Sequence, residues 1–160
     1  MSIVKLNTDE ALSRVYMGAP LTEYQIDFKD LEQLFGEPTF VGGPKDSIAY
    51  EWVFEFEDSY FWLFSWEALH QDCLEDGFVW EVAGTQKFLC KGFLNHLELC
   101  KKLLRAKEEC HQLNKMANNY FYTEDERAIF KQKWADQVLK YNQLKTQLDG
   151  NRRNAGASKS

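Results

Sequence analysis

No stretch of this sequence approaches the roughly 20 consecutive apolar residues that a helix needs to cross a bilayer, so a helical membrane span is not expected. The opening, MSIVKLNTDEALSRVYMGAP, has no apolar h-region and carries acids early, which does not fit a secretory signal. No CxxC pair occurs among Cys73, Cys90, Cys100 and Cys110, so free thiols in a reducing cytoplasm are expected. HExxH, a GxSxG elbow and a glycine-rich phosphate loop are also missing, and "VGGPKDS" puts a proline where a phosphate cradle needs backbone donors. Basic residues are scarce early: positions 1 to 86 hold 4 bases against 17 acids, and positions 87 to 160 hold 15 against 8.

What is present is apolar and aromatic. Hydrophobic residues make up 44% of the 160 and aromatics 15%, enough for the packed core of one domain. From 23 to 38, EYQIDFKDLEQLFGEP predicts a short strand and then a short helix. Asp27 is placed at the N-cap, Asp30 in the first turn, and Leu31, Leu34 and Phe35 form an i, i+3, i+4 stripe. Gly36 suits the left-handed position after the helix, and Pro38 stops it.

Strand-like alternation follows. Ile48, Tyr50, Trp52, Phe54 and Phe56 share one parity, with Glu51, Glu55 and Glu57 on the other. Tyr60, Trp62, Phe64 and Trp66 resume the even parity after the turn "EDS", and Phe78, Trp80 and Val82 repeat it. This predicts a three-stranded antiparallel meander with one aromatic core face. Val53, Phe61 and Leu63 then form an apolar patch on the odd face among the acids, either covered by the N-terminal segment or open as a binding surface.

From Thr85 the period becomes helical. Leu89, Phe93, Leu97, Cys100, Leu104 and Leu113 trace one stripe, "MANNYFY" interrupts it, and Thr123 with Glu126 predicts a capping box. Phe130, Trp134, Tyr141, Leu144 and Leu148 follow at a/d spacing, and Gly150 is read as the end of the helix. The expected architecture is α+β: a short N-terminal strand and helix, a three-stranded antiparallel aromatic-faced sheet, then a long antiparallel helical hairpin. The divisions are an acidic sheet portion at 1–86, a basic hairpin at 87–149 packed on or projecting from it, and a disordered tail at 150–160.

Candidate chemistry is sparse. His70 with Cys73, His96 with Cys100 at i, i+4, and Cys110 beside His111 are the nearest to metal-ligand spacing, but Cys100 lies in the apolar stripe where a small thiol packs well. No metal, cofactor or catalytic residue is expected. Glu51, Glu55, Glu57 and Asp58 are the candidate partner-binding residues. Lys101, Lys102 and Arg105, with Trp134, are the candidate nucleic-acid or oligomer contacts.

The segments "LFGEP" (Leu34 to Pro38), "VGGPKDS", "EWVFEF" (Glu51 to Phe56) and "VWEVAG" (Val79 to Gly84) resemble a pattern in small proteins of bacteriophages and other large DNA viruses. "LFSW" departs from that family's "IYDW"-like second strand, and the long helical hairpin is no part of the pattern. The resemblance implies a viral origin and carries no catalytic residue with it. It leads to the expectation of a non-catalytic protein-binding module in the host cytoplasm. That module would inhibit a host defence complex of restriction or CRISPR type, by steric or DNA-mimic-like binding to a nucleic-acid-binding effector. The alternative is an oligomeric structural or nucleic-acid-associated accessory protein working through the helical hairpin.

Overall fold

A computed structural model describes residues 3–12, 19–42, 47–66 and 72–157. The fold is α+β, and the chain divides into two compact units, Met1–Leu97 and Glu98–Ser160. The division falls inside the first long helix, later than the change in charge at residue 86.

Among the described residues the first unit is built on a six-stranded sheet, where the sequence pattern predicts a three-stranded one. Its strands are β1 (Val4–Lys5), β2 (Ala19–Gln25), β3 (Phe40–Val41), β4 (Ile48–Phe56), β5 (Ser59–Trp66) and β6 (Val79–Gly84). Their order is β1-β4-β5-β6-β2, with β3 also on β4. β4, β5 and β6 are the expected meander, all antiparallel. The additions are β2, which pairs antiparallel with β6, and the two-residue strands β1 and β3 along β4.

Parity is where the expectation needs correction. Trp52 pairs with Leu63, Val53 with Trp62 and Phe54 with Phe61, so even positions of β4 face the same way as odd positions of β5. A two-residue turn joining the Phe56–Ser59 pair imposes this, because the paired numbers then sum to an odd value. One core therefore joins Trp52, Phe54 and Phe56 with Phe61, Leu63, Trp80 and Val82. Trp62 and Phe64 lie on the other face with Val53 and Ala83, and Leu6 and Ala11 of the N-terminal segment pack there. An irregularity between Ile48 and Tyr50 carries Ile48 to that second face as well.

Helices close the first core. α1 (Thr8–Leu12) contributes Ala11 to the second face. α2 (Phe28–Phe35) buries Leu31 and sets Phe28 edge-on to Trp52 at 5.3 Å. Asp27 stands at its N-cap position but makes no side-chain cap bond; its carboxylate accepts from the Gly77 amide at 2.7 Å. Gly36 has φ 78° and donates to the Glu32 carbonyl, ending the helix as the sequence predicts. Cys90, Phe93 and Leu97, from the start of α3 (Cys90–Ala117), complete the core. The two indoles of the first core are satisfied: Trp80 donates to the Ile26 carbonyl and Trp52 to that of Gly36.

β1 and β3 meet β4 with a gap between them, and Thr39 fills it. Its hydroxyl donates to the Leu6 carbonyl and accepts from the Val53 amide, while its own amide donates to the Glu51 carbonyl. The side chain is buried. Thr39→Val keeps the shape and strands an amide and a carbonyl, so it should lower stability by about 1–3 kcal/mol. Urea denaturation reads this as a lower midpoint with the slope unchanged.

The second unit holds the rest of α3 and α4 (Glu124–Ala157). Thr123 and Glu126 form the predicted capping box: the Thr123 amide donates to the Glu126 carboxylate and the Glu126 amide to the Thr123 hydroxyl. The Thr123 amide and hydroxyl, both donating to the Glu126 carboxylate, hold that carboxyl below the usual range. α4 does not end at Gly150 but stays helical to Ala157. A glycine within a helix costs only about 1 kcal/mol relative to alanine, and the helical turns on both sides carry it through. No helix among the described residues is long and apolar enough to cross a membrane.

Candidate protein-binding surface

Three of the four acids singled out on the sheet cluster at one end of it. β4 and β5 are joined by Glu57 and Asp58 alone, and both residues are left-handed, with φ of 53° and 59°. Two positive φ values in succession mark the turn type that fits the twist of a tight hairpin and that Asn-Gly favours. Behind the tip, Glu55 lies between Val4 and Tyr60 in the register. The end of β6 braces the hairpin: the Tyr60 amide donates to the Thr85 hydroxyl at 3.1 Å, and the Thr85 amide to the Tyr60 carbonyl at 3.0 Å. The tip is thus a fixed turn bearing two carboxylates, of which Asp58 is exposed and Glu57 half-exposed.

Glu51 stands apart. It is four residues back along β4, roughly 13 Å from Glu55, and pairs with Phe40 on one side and Phe64 on the other. Burial pushes its carboxyl up to about 7, so near neutral pH it is partly protonated rather than a fixed charge.

Two acids of the same row were not singled out in the sequence. Phe64 pairs with Glu81, and Glu81 pairs in turn with Glu23 of β2. The Trp66 indole donates to Glu81 at 2.5 Å. The glutamate in "VWEVAG" has the right parity for this row, but the row exists only once the hairpin register and the β2–β6 pairing are known. Glu23 and Glu81 directly opposite one another work against the sheet's stability.

The basic candidates are largely neutralised within their own helix. Lys101 and Lys102 both reach Glu98, at 3.2 and 3.8 Å, and Arg105 reaches Glu108 at 3.6 Å. Such exposed pairs add little stability, but they reduce what the bases offer to phosphate. Lys101, Lys102 and Arg105 line a groove of about 360 Å³ with Ala106, Lys140 and Leu144. Trp134, 38% exposed on α4, is not among its lining residues.

Among the described residues, no three histidine, cysteine or acidic side chains converge as a metal-ligand set. His96 is buried with its ring 6.0 Å from that of Phe56, and His70 lies outside the described residues. Burial raises the thiols of Cys90 and Cys110 above their ordinary range, with Glu109 adding to the rise at Cys110. That is the opposite of what activates a nucleophile. Neither the known protein families, nor the curated proteins, nor the solved structures contain a match to this chain.

Proposed function

We propose that the chain is a non-catalytic protein-binding module whose β4–β5 hairpin tip, with Glu57, Asp58 and the adjoining Glu55, docks on a basic surface of a partner protein. The observation that carries this reading is the pair of acids held in left-handed backbone at the tip. Glu57 costs on the order of 1 kcal/mol there relative to glycine or asparagine, and Asp58, a residue that tolerates left-handed backbone, costs less. Strain retained at an exposed turn marks side chains kept for what they contact rather than for the fold. The acidity of the sheet portion, 17 acids to 4 bases over positions 1 to 86, supports a basic partner. The viral resemblance directs the search to nucleic-acid-binding defence effectors of a bacterial host.

The test separates stability from binding. Glu57→Asn combined with Asp58→Gly relaxes the turn and should raise the stability of the sheet unit by about 1 kcal/mol. The same change should weaken partner capture at least tenfold. Tagged wild type and double variant serve as bait in nuclease-treated bacterial lysate, read by quantitative mass spectrometry beside thermal melts. A basic partner held near stoichiometrically by the wild type, released by added salt and lost from the more stable variant, is the expected result. Equal capture by both baits would remove the tip from the binding surface.

A further inference from the structure

The turn between α3 and α4 exposes two adjacent aromatic rings. Tyr120 is 80% and Phe121 81% accessible, with ring centroids 4.7 Å apart and planes tilted by 34°. Side chains of this size normally bury most of their area. The turn beneath them is firmly built. The Asn119 side-chain oxygen accepts from the Phe121 amide at 3.0 Å, and its carbonyl accepts from the Tyr122 amide. Asn118 bonds back to Asn114 through both its backbone and its side-chain amide. Tyr122 turns inward onto Phe130 at 5.0 Å, and the Thr123–Glu126 box follows at once. The rings are therefore presented on a pre-ordered backbone, which lowers the entropic cost of binding.

The two ends of the same turn line a groove of about 380 Å³, through Ala117, Asn118, Glu124, Arg127, Ala128 and Lys131; neither ring is among its lining residues. Among the described residues neither Arg127 nor Lys131 stands in an ion pair, unlike Lys101, Lys102 and Arg105. Paired π faces on the turn, with two cations without acid partners on the helix that leaves it, match a flexible polyanion whose own rings are splayed. A duplex keeps its bases stacked on each other and offers such rings nothing.

We infer that the α3–α4 turn is a binding platform for single-stranded nucleic acid, with Tyr120 and Phe121 stacking on bases and Arg127 and Lys131 contacting phosphates. Glu124, on the groove wall, opposes those phosphates. This site belongs to the second unit and does not rest on the acidic hairpin tip.

Fluorescence anisotropy with labelled 15-nucleotide single strands of thymidine and of adenosine, at 50 and 200 mM salt, tests it on the full chain. Tyr120→Ala and Phe121→Ala are each expected to weaken binding roughly five- to hundredfold, with Tyr120→Phe close to wild type and circular dichroism unchanged throughout. Arg127→Gln and Lys131→Gln should each reduce the log–log salt slope by about 0.7. Glu124→Gln should tighten binding. No single-strand binding by the wild type at 50 mM salt overturns the inference, as does equal affinity for a duplex of the same length with no dependence on the two rings. Ring-dependent binding to phosphatidylcholine vesicles in place of oligonucleotide overturns it too, and reassigns the platform to a lipid surface.

Discussion

Gly84→Ala is expected to destabilise the sheet unit by about 2–3 kcal/mol or more, a fall in its melting temperature of about 10 °C or more. The cause is space, not backbone freedom, since Gly84 is not among the glycines of positive φ. A Cβ there would stand 2.7 Å from two carbons of the Phe61 ring and 2.9 Å from a Leu21 methyl. Phe61 has nowhere to retreat: it is fully buried, pairs across the ladder with Gly84, and stacks at 4.4 Å and 9° on Phe93. The ring lies flat over the only residue type that leaves room for it. Phe61→Leu alone should cost about 1 kcal/mol, and in combination with Gly84→Ala it should recover part of the loss. A thermal-denaturation double-mutant cycle reads that coupling. Additive costs would mean that Gly84 is constrained by something other than the ring.

Gly84 also marks the limit of what could be read from the sequence. That β4 is a strand with Trp52, Phe54 and Phe56 in a core was legible, because alternation is a local signal and the structure repeats it. The capping box at Thr123 and the helix stop at Gly36 were legible for the same reason. Which residues of β5 join that core was not. It depends on whether the turn uses two residues or three, and here the tip consists of Glu57 and Asp58 alone, without the glycine that usually announces such a turn. One residue of turn length moves Trp62 and Phe64 to the opposite face and brings Phe61 over Gly84.

Non-local pairing escaped for a different reason. Val4–Lys5 and Phe40–Val41 are too short for any period to show, and they are strands only because β4 offers them an edge. β2 joins β6 across more than 50 residues of chain, and its burial pattern has only two half-buried positions in seven. The candidate site was affected in proportion. Glu57 and Asp58 emerge at an exposed tip as acids near a turn should, whereas the environment of Glu51 is made by Phe40 and Phe64, neither of them adjacent in sequence.

Glu51→Gln should make the protein more stable above neutral pH and leave it unchanged near pH 4.5. Burial raises the Glu51 carboxyl from 4.5 to about 7. Between those values the unfolded chain has released this proton while the folded chain retains it. Stability from this group is therefore full below about pH 4.5 and falls as pH rises through the folded value. The side chain keeps some access to water, which holds the cost of the carboxylate at pH 8 to about 2 kcal/mol. Glutamine preserves the shape and cannot ionise. Urea melts from pH 4.5 to 8.5 should show this contribution sloping downward from 5 to 7 in the wild type and absent in the variant, a gap that opens with pH. Parallel curves would mean that the carboxyl titrates normally and that Phe40 and Phe64 do not shield it. The same proton bears on the proposed docking. A basic partner reaching as far as Glu51 must strip the proton from it, so calorimetry near pH 6.5 should give a binding enthalpy that varies with the ionisation heat of the buffer. A partner confined to Glu55, Glu57 and Asp58 should give none of that dependence from Glu51, and Glu51→Gln then leaves its affinity unchanged.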